Sequence, residues 1–226
     1  PRTPACSPCR GRRTTRRLLG SLGRGFAGVW SADSLPPFLA GAAATAGASF
    51  ADEAVRDAVA DPGSPIGKGG QVAGGAAVTY TVAAGLFVAG RLSDRSRFRA
   101  ATYDIACATV VNQVYTHAVK LAVGRERPNG EDGRTNSAFP SGHAANAFAW
   151  AAVLERHYGW KGAVPAYAVA SVIGLSRVQE NKHWLSDVVG GAALGYLSGR
   201  AVVRVNGAPA AADGGGPRIG IAPLLG

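Results

Sequence analysis

The sequence predicts an all-α helical bundle of about six helices with its active site at one end, and three observations carry that prediction. Apolar residues recur at helical spacing beyond the first 30 residues, and no run alternates as a half-buried strand would. Residues 69–90 form an uncharged stretch rich in Ala, Gly and Val. Gly- and Pro-bearing breaks, such as 61–65 and 124–128, separate the periodic runs. Composition agrees: among 226 residues, 47% are hydrophobic and 17% charged, which excludes a wholly disordered chain. The 32 glycines follow no G-X-Y period, which excludes collagen. The mean hydropathy of +0.07 is high for a soluble enzyme and low for a bundle of lipid-facing helices.

Residues 1–30 read as a flexible N-terminal tail. Arg2, Arg10, Arg12, Arg13, Arg16, Arg17 and Arg24 place seven positive charges there before any acid. Of the formal net charge of +10, only +3 belongs to the rest of the chain. Basicity confined to a tail, without interleaved aromatic residues, argues against a nucleic-acid partner and fits a cytoplasmic flank or upstream sequence. Cys6 and Cys9 form an isolated CxxC with no histidine before His117, too few ligands for zinc. Methionine is absent and residue 1 is proline, as expected of a chain taken from a longer reading frame.

One domain, residues 31–206, is expected next. Ser49 before Asp52 and Glu53 resembles an N-cap with acids in the first turn, so a short helix should run over 50–60. The run from Asp61 to Pro65 ends it. Residues 69–90 are long enough to cross a bilayer but weakly apolar for that task. A long helix is expected over 94–123; its Asp104, Asn112, Gln113 and His117 suit a bundle interior better than lipid. Cys107 reads as a small core residue, and His117 as a buried, hydrogen-bonded one. Residues 129–139 form a polar loop. Helices follow at 142–157, 162–177 and 184–204, with His157 a basic residue of a last turn. Residues 207–226 form a Gly/Pro-rich C-terminal tail.

Three segments hold polar residues that a helical core does not need. In the first, Lys120 and Arg127-Pro128 stand seven apart, a spacing that sets both cations on one helical face. In the second, Pro140-Ser141-Gly142-His143 leads into a helix whose free first-turn N–H groups make an anion site. In the third, Ser176-Arg177 precedes His183 and Asp187, an i,i+4 pair in which a carboxylate can fix one imidazole nitrogen and leave the other free. Each piece alone fits an ordinary surface or core role. Together they describe a phosphate-sized anion held by three cations and backbone amides, with two histidines beside it.

These segments resemble the three-part signature of the type 2 phosphatidic acid phosphatase superfamily, which spans lipid phosphate phosphatases, bacterial acid phosphatases and vanadium haloperoxidases. The resemblance covers residues 120–187 directly. It implies a metal-independent phosphomonoesterase that needs no cofactor. His183 would be the nucleophile forming a phosphohistidine, Asp187 its orienting partner, and His143 the acid and then the base. Lys120, Arg127, Ser141, Gly142 and Arg177 would bind the phosphate. A vanadate-dependent haloperoxidase using the same anion site is the alternative within the fold, and a non-catalytic phosphate-binding protein the alternative outside it. The two histidines argue against the latter, because anion binding alone requires neither. The expected substrate is a lipid phosphate, an isoprenoid pyrophosphate or a soluble ester. The expected location is the bacterial cell envelope with the site facing the periplasm, and the sequence leaves membrane integration open.

Overall fold

The computed structural model describes residues 13–130 and 137–207 of the chain. Cys6, Cys9, most of the Arg-rich start, residues 131–136 of the polar loop and the tail from residue 208 lie outside the described residues. Among the described residues there is no strand, and nine α-helices are present. They are α1 (Leu18–Val29), α2 (Leu35–Ser49), α3 (Asp52–Val59), α4 (Pro65–Ala73), α5 (Ala76–Leu92), α6 (Ser96–Val123), α7 (Gly142–Tyr158), α8 (Trp160–Gln179) and α9 (Leu185–Val205).

The count exceeds the expected six for identifiable reasons. The uncharged stretch is two helices, because Gly74-Gly75 interrupts it; Gly75 is extended and starts α5. Helix α2 carries no polar stripe and begins with Leu35-Pro36-Pro37, prolines that fit only a first helical turn. Helix α1 corrects the expectation of a flexible tail over residues 1–30. Its small residues Ser21, Gly25 and Gly28 are buried, and it packs on α6 and α9. Gly25 faces Val111 and Val202, so the glycines that look like linker composition are a close-packing face.

The core lies between α6, α7 and α9 and is built of small residues with a few larger ones. Tyr103, Cys107, Ala108, Val111, Val153, Val202 and Val203 are fully buried. Helix α9 lies against α7 along Gly191, Gly195 and Gly199. A Cβ on Gly191 would stand 2.5 Å from the Ser141 carbonyl oxygen, and Cβ atoms on the other two would strike the backbone of Ala145 and Ala149. This spacing of four sets all three glycines on one face, so the two backbones meet without side chains between them.

No single described helix is long and apolar enough to cross a membrane. Helices α4 and α5 meet those limits only as a pair, bent by 49° at their break.

Candidate active site

The three polar segments meet at one end of the bundle, each delivered by a helix terminus. Helix α6 ends at Gly124, whose left-handed backbone (φ 59°) closes the last turn with its N–H on the Lys120 carbonyl, 3.0 Å. Lys120 therefore sits in a last helical turn and Arg127 in the loop beyond. The expected shared helical face does not exist; the turn at Gly124 brings the two cations together instead. Lys120 Nζ donates to the Ser137 carbonyl. Burial and the nearby Arg127 push the Lys120 ammonium down to about 8, against the pull of Asp187.

Helix α7 begins at Gly142, with Ser141 as its extended N-cap residue. The Ser141 N–H is tied to the Asp187 carbonyl at 2.9 Å, and its carbonyl accepts from Ala145. Its Oγ is fully buried and has no hydrogen-bond partner among the described residues. A hydroxyl held there beside first-turn amides is an anion donor by position. His143, in the first turn, directs Nε2 at the Gln71 carbonyl of α4, 3.3 Å away. Burial, then Arg177 and His183, push its imidazolium down to about 4, opposed by the Gln71 bond and joined by Arg127.

Helix α8 ends in a tight turn that places His183. Asn181 takes a left-handed backbone (φ 54°), which Asn tolerates. The N–H groups of Lys182 and His183 then both reach the Arg177 carbonyl, at 3.1 and 3.2 Å. Arg177 and His183 are thus locked side by side, and each is buried. The sequence reading put His183 and Asp187 on one helical face; the structure puts His183 before α9 and Asp187 in its first turn. Asp187 Oδ2 caps the helix by accepting the Trp184 N–H at 2.8 Å. His183 Nδ1 lies 3.6 Å from the same oxygen. Burial pushes the His183 imidazolium down to about 4; Asp187 opposes this, while Lys120 and Arg127 add to it.

The arrangement therefore brings together every residue that the sequence singled out. Arg127 acts electrostatically on Lys120, His143 and His183, and Arg177 acts on His143. Positive charge accumulates around two neutral imidazoles, a setting that attracts an anion and gains from its arrival. Among the described residues no group of three or more His, Cys, Asp or Glu side chains stands together as a metal site would require.

Sequence reasoning gave no part in the site to Arg125, Asp52 or Ser186. Arg125 donates Nη1 to Asp187 Oδ1 (2.8 Å) and to Ser186 Oγ (2.7 Å), and Nη2 to Asp52 Oδ2 (2.8 Å). Asp52 also accepts the Ser186 N–H at 2.8 Å and its hydroxyl at 2.6 Å. The Trp184 ring takes the guanidinium groups of Arg56 and Arg125 at 5.4 and 5.5 Å. His117 departs from expectation: it is exposed, paired with Gln113 one turn earlier, and takes no part in the site.

Residues 101–209 match the family model of the PAP2 superfamily. Over this stretch, just under half of its length, the chain is similar to that superfamily. The chain is 45% identical over 86 residues to a lipid A 1-phosphatase of Porphyromonas gingivalis, covering 37% of this chain and 19% of that protein. It is 38% identical over 58 residues to a lipid A 4'-phosphatase of Helicobacter pylori, covering 26% of this chain and 29% of that protein. The chain thus spans less than a third of either curated relative. In fold it is similar to the crystal structure of a transmembrane PAP2-type phosphatidylglycerolphosphate phosphatase from Bacillus subtilis. That match has a TM-score of 0.58 at 19% identity and covers 83% of this chain and 93% of the other.

Proposed function

We propose that this chain is a PAP2-superfamily phosphomonoesterase acting on lipid phosphates at a bacterial membrane, through a phosphohistidine on His183. The observation that carries the reading is the convergence of Lys120, Arg127 and Arg177 on the buried His183 and the half-buried His143, beside the start of α7, where the Ser141 hydroxyl has no other partner among the described residues. The names of the relatives support the phosphatase reading, and those names specify lipid phosphates. The membrane location draws on the outer faces of α2, α5 and α8, which expose Phe38, Leu39, Val82, Val88, Val169 and Leu175. The site is read as facing the periplasm.

A phosphate dianion entering among the cations offsets the field that keeps His143 neutral, so the imidazole gains a proton as substrate binds. Asp187 faces Nδ1 of His183, leaving Nε2 to attack phosphorus. The P–N bond forms as the ester P–O bond breaks, and His143 gives its proton to the departing alkoxide. Because Nε2 of His143 is directed at the Gln71 carbonyl, Nδ1 is the nitrogen that exchanges this proton. His143, neutral again, takes a proton from water. The water oxygen attacks phosphorus, the P–N bond breaks, and inorganic phosphate leaves. Charge on the transferring group is spread over the cations and first-turn amides throughout.

The test is phosphate release by the purified full-length protein from lipid A, phosphatidylglycerolphosphate and glycerol phosphate. An acid-labile, base-stable phosphoprotein should form during turnover with the lipid substrates. Absence of release from all three would overturn the reading.

A further inference from the structure

We propose that Asp52 and Arg125 form a positioning pair that sets the Asp187 carboxylate, and through it the orientation and basicity of His183. The proposal rests on the phosphatase reading above and concerns residues that none of the three signature segments assigns a role.

Asp52 opens α3, far in sequence from the site, and is 5% exposed. A buried carboxylate in a first helical turn would ordinarily be explained by the helix dipole. Here both its oxygens instead face α9: Oδ1 takes the Ser186 N–H, and Oδ2 takes the Ser186 hydroxyl and Arg125 Nη2. Arg125 spans the gap. Its second nitrogen reaches Asp187 Oδ1, so one guanidinium is shared between two carboxylates.

The consequence for Asp187 is geometric. Oδ1 is held by Arg125 and Oδ2 by the Trp184 N–H, which fixes the carboxylate plane. His183 Nδ1 stands 3.6 Å from Oδ2, close enough to tighten onto it when the imidazole gains charge. Arg125 also anchors the approach to Ser141: its N–H donates to Ser137 Oγ and its carbonyl accepts from Ala138. Nucleophile and phosphate grip are therefore referenced to the same residue, one through its side chain and the other through its backbone.

The pair is also an electrostatic divider. Asp187 on α9, Lys120 on α6, Arg127 in its loop and His143 on α7 act on His183, and Arg177 on α8 is tied to it through its backbone carbonyl. Asp52 draws part of the Arg125 charge away from Asp187. Removing the Asp52 charge leaves Arg125 wholly on Asp187 and weakens its hold on an imidazolium. Removing the Arg125 charge does the reverse.

The experiment compares Asp52→Asn, Asp52→Glu, Arg125→Gln and Arg125→Lys with wild type in a lipid phosphate assay, measuring kcat and KM across pH. Asp52→Asn and Arg125→Gln should each lose on the order of 10²-fold in kcat, as a small misplacement of reacting groups does, with KM little changed. The acidic limb of the kcat/KM profile should move down in pH for Asp52→Asn and up for Arg125→Gln. Asp52→Glu and Arg125→Lys, which keep the charges, should keep the wild-type limb. A merely structural strap would lower activity with no shift, and unaltered kcat in Asp52→Asn would also overturn the proposal. Loss of the helical circular-dichroism signal in both Asp52 variants would make the pair a folding device and overturn it too. An inactive wild type would instead refute the phosphatase reading itself.

Discussion

The bundle holds two buried histidine–aspartate pairs, one at each end, and their surroundings differ more than their chemistry. At the end where α6 begins and α7 finishes, His157 Nε2 meets Asp104 Oδ2 at 2.8 Å. The same carboxylate takes Arg13 through three contacts of 2.7–3.1 Å and the Asn206 amide at 2.9 Å. Every lone pair of Asp104 is engaged and both side chains of the pair are sealed from solvent. At the other end His183 stands 3.6 Å from Asp187, among cations and beside an unpartnered hydroxyl. The tighter pair is the clasp, fastening residues before α1 and after α9 to the core. The looser pair is the one to which the proposed function gives the chemistry. A short histidine–carboxylate contact is thus no mark of catalysis; a histidine set among several cations is the better one.

That contrast can be broken most directly by alanine. His183→Ala should abolish turnover and the phosphoenzyme, whereas His157→Ala should retain turnover per folded molecule. Asp104→Ala leaves Arg13 and His157 without their carboxylate and should cost about 3–5 kcal/mol of stability, read as a lowered thermal midpoint. Activity in His183→Ala, or its loss from folded His157→Ala, would reverse the assignment of the two ends.

His143→Ala should lose ~10²–10⁴-fold on alkyl phosphates and much less on an activated aryl phosphate, whose leaving group needs no proton. Equal losses on both would deny His143 its role as acid.

Arg177→Lys sharpens the electrostatic side. Vanadate adopts the five-coordinate shape of the transferring phosphoryl group, so the wild type should be inhibited competitively at concentrations where phosphate is not. Lysine keeps the charge but loses the planar fork, so inhibition should weaken about tenfold. An unchanged inhibition constant would mean that Arg177 does not grip the anion.

The end that holds His143 and His183 should also show itself in the pH dependence of stability. His143 and His183 have folded values near 4, below the unfolded value near 6.5. Between those values the unfolded chain binds more protons, so stability falls as pH drops through that window and levels off below it. Vanadate should offset the loss in wild type. A thermal midpoint flat from pH 7 to pH 4.5 would contradict the geometry of the site. The smallest effect is expected from chelation: EDTA should leave activity unchanged, since Lys120, Arg127 and Arg177 supply the positive charge.

What the sequence disclosed follows from how local each signal is. Pro140-Ser141-Gly142-His143 announces its helix start because proline, a small polar residue and a glycine act on neighbouring backbone. The helices over 94–123, 142–157 and 184–204 were legible within two residues at each end, since their caps are local. Helix α2 was not, because it is apolar on all sides and lacks periodic contrast. The role of Asp52 was hidden for a different reason. Its partner Ser186 is 134 residues away, and an acid in a first helical turn already has a sufficient local explanation. Arg13 was likewise concealed among arginines that looked alike, although only its distance to Asp104 distinguishes it.

The glycine face of α9 has a consequence for variation. Gly191 touches the backbone of Ser141, the proposed anion donor, while Asp187, one turn earlier on the same helix, faces His183, the proposed nucleophile. Helix α9 is therefore a ruler laid between the two halves of the reaction, and its graduations are bare backbone. In a library randomised at every position of α9, residues 191, 195 and 199 should return as blanks in which even alanine is scarce. Half-buried positions such as Ala192 would vary more. Selection for catalysis would read there as selection for the absence of side chains.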